Sequence, residues 1–166
     1  MRVLVTAASR HGATHEIAEA IARGLVRRGV EADAMPLEGL RSLDGYDAFV
    51  IGSAVYVGRW LEPARDLIDE HADTLAAAPV WLFSSGPLGP PDALKPEGDP
   101  VDVADLTETV GAIDQRVFAG RLDRKLLSFT EKAVVVAVRA PEGDFRDWEA
   151  IDAFAGEIAE HVTSAD

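Results

Sequence analysis

A short polar loop near the amino terminus has the residue types that bind an anion. Two hydroxyl side chains, at Ser9 and Thr14, are hydrogen-bond donors for a phosphate, and Gly12 permits close backbone approach or a positive φ. Arg10 is either a phosphate partner or a solvated arginine at a loop tip. The loop consists of Ser9, Arg10, His11, Gly12, Ala13 and Thr14.

This loop lies between a predicted strand and a predicted helix. Residues 2–6 are an apolar run, and from Thr14 the apolar residues recur at helical spacing as far as Gly29. We place Thr14 at the N-cap and Glu16 in the first turn, where a negative charge suits the helix dipole. The first amides of a helix have no partner within it and point towards the preceding turn. The loop is therefore either a phosphate site or an ordinary strand-to-helix turn with a capping threonine.

Composition excludes several other kinds of site. The sequence contains neither a G-x-x-x-x-G-K-[ST] loop nor G-x-G-x-x-G. Its 166 residues carry a net charge of −13, which argues against a nucleic-acid partner. The absence of cysteine excludes disulfides, thiolate metal sites and cysteine nucleophiles. His11 and His15 lack a third ligand nearby, so we predict no metal site.

Strands alternate with helices along the chain. We predict strands at residues 2–6, 31–35, 48–52, 79–84 and 116–120, and helices at 14–29, 61–75, 101–113 and 148–162. Residues 124–139 fit either a strand or a helical stripe, and we favour helix. This alternation predicts one domain over residues 1–166, built on a parallel sheet with strand order 2-1-3-4-5. No signal peptide or membrane-spanning run is evident, so a cytoplasmic location is the expectation.

Ligands of such sheets bind beyond the carboxyl ends of the strands, at the switch in strand order. Here these ends carry the loops at residues 9–14, 53–60 and 84–91. We expect Trp81 to be a core residue, and Trp60 to be a core or rim residue rather than a contact of a bound ring. Tyr56 is either a platform for a stacked ligand ring or a partly exposed loop tyrosine.

The chain resembles the flavodoxin superfamily, and within it the menaquinone-dependent protoporphyrinogen oxidase branch. Residues 9–14 match the flavodoxin phosphate loop [ST]-x-[ST]-G-x-T, except that His11 replaces a hydroxyl residue. The stretch Val-Ile-Gly-Ser-Ala-Val-Tyr-Val-Gly at 50–58 and the Asp-Trp-Glu at 147–149 extend the resemblance along most of the chain. It implies a flavodoxin-like three-layer sandwich with an insertion after strand 5.

The resemblance further implies non-covalently bound FMN, with its phosphate on residues 9–14. The isoalloxazine would then lie between the second and third loops. The third loop lacks an aromatic residue, which leaves the ring open to a substrate. From these two loops the cofactor-binding residues expected are Ser53, Ala54, Val55, Tyr56, Val57, Gly58, Ser84, Ser85, Gly86, Pro87, Leu88 and Gly89.

The function implied is an oxidoreductase that passes electrons between a quinone or reductase and an organic acceptor, in the manner of protoporphyrinogen oxidase. In that branch the insertion is tied to membrane or quinone contact, and residues 121–146 occupy its place. Two alternatives stay open: a small acidic FMN electron carrier without its own substrate, and a non-redox binding module on the same fold.

Overall fold

Parallel strands form the central sheet of the computed structural model, which describes residues 1–56, 58–86, 102–137 and 142–165. Within these residues the strands are β1 Arg2–Ala8, β2 Glu31–Pro36, β3 Ala48–Tyr56, β4 Arg59–Trp60, β5 Val80–Ser85, β6 Asp114–Phe118, β7 Arg121–Leu122 and β8 Gly143–Asp144. The helices are α1 Ala13–Arg27, α2 Glu62–Glu70, α3 Ala72–Ala76, α4 Val103–Val110, α5 Phe129–Ala137 and α6 Trp148–Ser164, with 3-10 turns at Leu37–Gly39 and Arg124–Leu126.

The parallel sheet has the order β2-β1-β3-β5-β6, and the two-residue β4 pairs antiparallel with the end of β3. Numbering the five parallel strands alone gives 2-1-3-4-5, so the predicted topology is confirmed. The switch in order lies between β1 and β3, which are paired from Val3–Ala48 to Ala8–Ser53. A ligand site is therefore expected where β1 and β3 end.

Side-chain alternation along the strands divides the core into two layers. Residues of one parity, among them Val5 and Phe83, pack against α1 and α6. Those of the other parity, among them Leu4 and Ile51, pack against α2, α3 and α4. The helices thus cover both faces, as a parallel sheet requires, and this confirms the predicted three-layer sandwich. Trp60 and Trp81 are 2% and 3% exposed. Trp81 is therefore a core residue as predicted, and of the two positions predicted for Trp60, core or rim, the structure shows the core.

Several predicted boundaries were wrong. The strand predicted at 48–52 continues to Tyr56, because Ser53 and Ala54 still pair with β5. The helix predicted at 61–75 is divided at His71, whose φ of −117° and ψ of 21° are not helical. The last strand of the sheet begins at Asp114 rather than Arg116, in register with Trp81.

The helices near the carboxyl half follow the predictions more closely. The helix predicted at 101–113 covers Val103–Val110 and ends where Gly111 adopts a φ of 60°, while residue 101 lies outside the described residues. Residues 124–139 contain a 3-10 turn and α5, so helix was the right choice as far as residue 137. The terminal helix α6 extends two residues beyond its predicted end.

Candidate functional site

A cleft of ≈ 310 Å³ lies at the carboxyl ends of β1, β3 and β5. This volume is at the lower end of the roughly 300–1,000 Å³ typical of small-molecule sites. The polar loop between β1 and α1 contributes to it, as predicted for a ligand site at the switch in strand order. From this loop the lining residues are Ser9, Arg10, His11, Ala13 and Thr14.

The loop turns into α1 through Gly12, which has a φ of 84° and occupies the N-cap. The prediction of Thr14 as the N-cap was therefore wrong. Glycine takes this left-handed conformation without strain, and the N-cap lies two residues earlier than predicted, with Ala13 as the first residue of α1. Thr14 lies in the first turn, 2% exposed, with Glu16 beside it in the same turn as predicted.

The hydroxyl of Ser9 is the acceptor for amides of this loop. The Gly12 amide donates to Ser9 Oγ at 3.0 Å, and the Thr14 amide does so at 3.4 Å. Two backbone N–H groups at the start of α1 thus converge on one oxygen of the loop. N–H groups at this position of a helix can bind an anion instead, if the Ser9 hydroxyl gives way to it. The longer of the two bonds is weak by geometric criteria.

The ends of β3 and β5 supply the second part of the lining. Gly86 approaches β3 so closely that a Cβ added to it would lie 3.2 Å from Val55 Cβ. A larger residue at 86 would therefore push the two strand ends apart and widen the floor of the cleft. The strand-end residues that line it are Ala54, Val55, Tyr56, Ser85 and Gly86.

Tyr56 presents its ring in the cleft next to a cation. The Arg10 guanidinium carbon lies 4.2 Å from the centre of the Tyr56 ring, within the range of a cation–π contact. Burial raises the pKa of the Tyr56 hydroxyl, as does the charge of Glu131. The phenol therefore stays protonated at neutral pH and is available as a donor.

Other residues expected to contact the cofactor are engaged elsewhere. Ser53 Oγ donates to the Ala54 carbonyl at 2.8 Å and accepts from the Leu61 amide at 2.9 Å. Ser84 Oγ accepts from Trp60 Nε1 at 2.8 Å. Both serines are 0% exposed, and the exposed Gly58 forms the turn between β3 and β4 with a φ of 70°. Val57, Pro87, Leu88 and Gly89 lie outside the described residues.

The insertion after β6 supplies part of the lining that sequence reasoning did not assign to the site. Its apolar side chains give the cleft a largely hydrophobic character. The helical stripe through Leu127, Thr130 and Val134 was the signal that a helix of this segment packs against the site. The insertion residues in the lining include Leu126, Leu127, Thr130, Glu131, Val134 and Val135.

Glu131 brings a carboxylate to the polar loop. Its Oε1 lies 3.2 Å from Arg10 Nη1 and 3.3 Å from His11 Nε2. A hydrogen bond from the Ser128 amide, together with those from Arg10 and His11, lowers the Glu131 pKa to about 2. The group is therefore fully ionised at neutral pH.

Two arginines hold the insertion to the first turn of α1. Arg146 contacts Glu16 and Asp144, and its side chain is only 4% exposed. Arg121 lies 3.2 Å from Glu16 and donates to the His11 carbonyl at 3.4 Å. Hydrogen bonds from Arg146 lower the pKa of both Glu16 and Asp144. Both arginines thus join the insertion to the same carboxylate, that of Glu16 in the first turn of α1.

A family model described as a flavodoxin domain matches residues 4–149. The chain belongs to the flavodoxin domain family. Protoporphyrinogen IX dehydrogenase [quinone] of Escherichia coli strain K12 is 24% identical over 176 residues, which cover 98% of this chain and 97% of the relative.

Solved flavodoxins share the fold at low sequence identity. A flavodoxin from the domain Archaea superposes with a TM-score of 0.66 at 18% identity, covering 98% of this chain and 99% of the other. Flavodoxin 1 of Bacillus cereus gives 0.65 at 16% identity, covering 97% and 99%.

The donors and surfaces of the cleft fit FMN, the cofactor of this family. The Ser9 hydroxyl and the Gly12 and Thr14 amides form a polar end suited to a phosphate. Tyr56 and the apolar insertion residues form an end suited to a flat ring. The Glu131 carboxylate, which contacts Arg10 and His11, lies where a phosphate on this loop would meet it.

Two absences hold for the residues that the structure describes. No helix among them is long and apolar enough to cross a membrane. They also contain no group of three or more His, Cys, Asp or Glu side chains placed to hold a metal ion.

Proposed function

We propose that this chain binds FMN in the cleft and acts as an oxidoreductase with an apolar organic partner. The observation that carries the proposal is the joining of two chemistries in one cleft: two amides turned towards Ser9 Oγ at one part, and an apolar lining at another. Bound FMN would supply one- or two-electron redox chemistry, while the protein supplies position and electrostatics.

The residues have separate roles in this proposal. Ser9, Gly12 and Thr14 would hold the phosphate through a hydroxyl and backbone amides. Tyr56 would support the ring, and its hydroxyl, being protonated, adds no negative charge of its own to that surface. The apolar side chains of the insertion would exclude water from the space beside the ring, which favours an apolar electron partner such as a quinone.

Protoporphyrinogen oxidation coupled to quinone reduction is the specific activity we propose, supported by the relative from Escherichia coli at 24% identity. The acidic surface, with a net charge of −13, instead favours a carrier that docks on a basic redox protein. Flavin-loaded protein that oxidises protoporphyrinogen with menadione as acceptor would rule out the carrier. Fast electron exchange with a reductase, but no turnover of protoporphyrinogen, would rule out the oxidase.

Flavin binding is tested by titrating apoprotein with FMN and following quenching of flavin fluorescence. We expect saturable binding with one FMN per chain and a structured visible spectrum. Absence of binding at high micromolar FMN would contradict both the enzyme and the carrier, and would leave a non-redox module.

The insertion also has a surface suited to peripheral contact with a membrane, the position in which quinones reside. Phe129 is 89% exposed and Val136 is 65% exposed. Lys125 of the 3-10 turn lines a groove together with Lys132 and Val136 of α5. We expect Phe129→Ser to weaken sedimentation with vesicles of anionic lipid, whereas no sedimentation of the unaltered protein at low salt would exclude this contact.

A further inference from the structure

The carboxylate of Glu131 is a negatively charged group of the protein itself that contacts the polar loop. Its Oε1 faces both Arg10 Nη1, at 3.2 Å, and His11 Nε2, at 3.3 Å. The same residue lines the cleft together with Ser9 and Thr14. The side chain is 16% exposed, so solvent screens these contacts only in part.

A reciprocal pair of hydrogen bonds fixes this carboxylate in place. Glu131 Oε2 accepts from the Ser128 amide at 2.8 Å, and the Glu131 amide donates to Ser128 Oγ at 3.2 Å. This is a capping box at the start of α5, a motif that accepts either Glu or Gln at its last position. Capping alone thus does not require the negative charge that Glu131 places at the loop.

The capping box at the start of α5 limits how far the Glu131 carboxylate can move away from the polar loop. With Oε2 bound to Ser128, only Oε1 is directed to Arg10 and His11. Moving the carboxylate away from the loop would break the capping box or displace α5. A phosphate that enters the loop must therefore compete with a fixed negative charge for the same cation and imidazole.

We propose that Glu131 is a charge-selectivity residue of the cleft, whose carboxylate competes with a ligand's phosphate for Arg10 and His11. The inference rests on the proposed binding of flavin. Glu131 weakens the binding of a ligand with a dianionic phosphate and leaves the binding of a neutral ligand with the same ring unaffected. The unaltered protein therefore prefers FMN over riboflavin much less than the same polar loop would without the Glu131 charge.

Glu131→Gln tests this directly, because glutamine keeps the capping box and removes the charge. Dissociation constants for FMN and riboflavin are measured by fluorescence quenching in both proteins. We expect FMN to bind roughly tenfold more tightly to the variant, on the scale of one close charge pair, with riboflavin changed less than about twofold. Equal shifts for both flavins, or no shift for FMN, would overturn the inference.

Two controls separate charge from helix stability. Glu108→Gln makes the same change in net charge at an exposed position on α4 and should leave both affinities unchanged. Ser128→Ala removes the hydroxyl of the capping box but retains the carboxylate, and should not raise the preference for FMN. If Ser128→Ala matches Glu131→Gln, loosening of α5 is the cause and the inference fails. Glu131→Ala provides a second charge-removing variant if glutamine impairs folding.

Inorganic phosphate gives a readout that does not depend on flavin. Phosphate is titrated into ¹⁵N-labelled protein while the Gly12 and Thr14 amide resonances are followed. Tighter phosphate binding by Glu131→Gln without flavin binding by either protein would support this inference and contradict the proposed function. If both proteins bind flavin, and the substitution changes neither the FMN affinity nor the riboflavin affinity, the proposed function is supported and this inference is contradicted.

Discussion

Thr14 is the residue of the polar loop whose role in the proposed site, as a hydroxyl donor to the phosphate, can be tested by a single substitution. It is 2% exposed, lines the cleft and donates its amide towards Ser9 Oγ. Valine has nearly the same shape but lacks the hydroxyl. The substitution therefore removes a donor to the phosphate and changes little else.

We expect Thr14→Val to weaken FMN binding roughly tenfold or more, as for the loss of one charge-assisted hydrogen bond. Fluorescence titration measures the change. Thr109→Val is the matched control, because Thr109 Oγ1 donates to the Asp105 carbonyl on an exposed part of α4. Equal affinities of Thr14→Val and the unaltered protein would move the phosphate out of this loop.

Gly52 has a structural role at the heart of β3. A Cβ added there would lie 2.1 Å from Cζ of Phe83, a ring that is 0% exposed. We expect Gly52→Ala to lower the free energy of unfolding by about 1–3 kcal/mol, the usual cost of overpacking. Gly39→Ala meets no atom within 4 Å and should change stability by less than about 0.5 kcal/mol. Urea denaturation that finds both variants alike would contradict the packing described for β3.

At the scale of elements, Arg146 ties the insertion to α1. Its guanidinium contacts Glu16 on α1 and Asp144 on β8, and it donates to the Ala13 carbonyl at 3.3 Å. The Arg146 guanidinium carbon also lies 4.6 Å from the centre of the Trp148 ring. A single, largely buried side chain thus joins three elements.

We expect Arg146→Met to destabilise the protein by about 1–3 kcal/mol, because it removes several bonds to charged groups at once. Arg23→Met removes the same charge from an exposed pair, 3.7 Å from Glu19, and should have an effect below about 1 kcal/mol. Chemical denaturation monitored by circular dichroism compares the two. A similar loss of stability in both variants would mean that the Arg146 contacts do not stabilise the attachment of the insertion to α1.

The elements also show which parts of the fold can be predicted from sequence. Residues 48–52 form a run that is apolar on both faces, which identifies a central parallel strand. The continuation to Tyr56 could not be predicted, because Ser53 owes its place in β3 to pairing with distant β5. Likewise, the φ of Gly12 that starts α1 early is a property of the folded loop.

Of the candidate site, the polar loop could be predicted from the sequence, but the contribution of the insertion could not. The spacing of Ser9, Gly12 and Thr14 is a local pattern, and local patterns are visible in a sequence. Contact between Glu131 and Arg10 joins residues 121 positions apart, and nothing in the spacing of either predicts it. Long-range contacts of this kind require the packing of α5 over the cleft.

At the scale of the whole molecule, ionised carboxylates join the insertion and α6 to the rest of the fold. The pKa values of Glu131 and Asp152 are both lowered to about 2, in Glu131 chiefly by the Ser128 amide and in Asp152 by Arg28. A lowered folded-state pKa stabilises the fold above the unfolded value and ceases to do so as pH falls through the folded one. Acid therefore weakens these contacts.

We expect the stability difference between the unaltered protein and Glu131→Gln to be constant near neutral pH. This difference should shrink as the pH falls from 4.5, the ordinary pKa of a glutamate, to about 2, the pKa of Glu131 in the folded chain. Thermal unfolding across this pH range measures the difference. A difference that grows with acidity would show that the Glu131 carboxylate is not stabilised by its contacts in the folded chain.

We propose above all that the loop between β1 and α1 holds the phosphate of FMN. A crystal structure of the chain with FMN tests it most directly. We expect the phosphate oxygens to accept hydrogen bonds from the Gly12 and Thr14 amides, with the ring beside Tyr56 and Gly86. A phosphate bound elsewhere, or an FMN-soaked crystal whose loop retains the Ser9 and Glu131 contacts and holds no cofactor, would contradict the account.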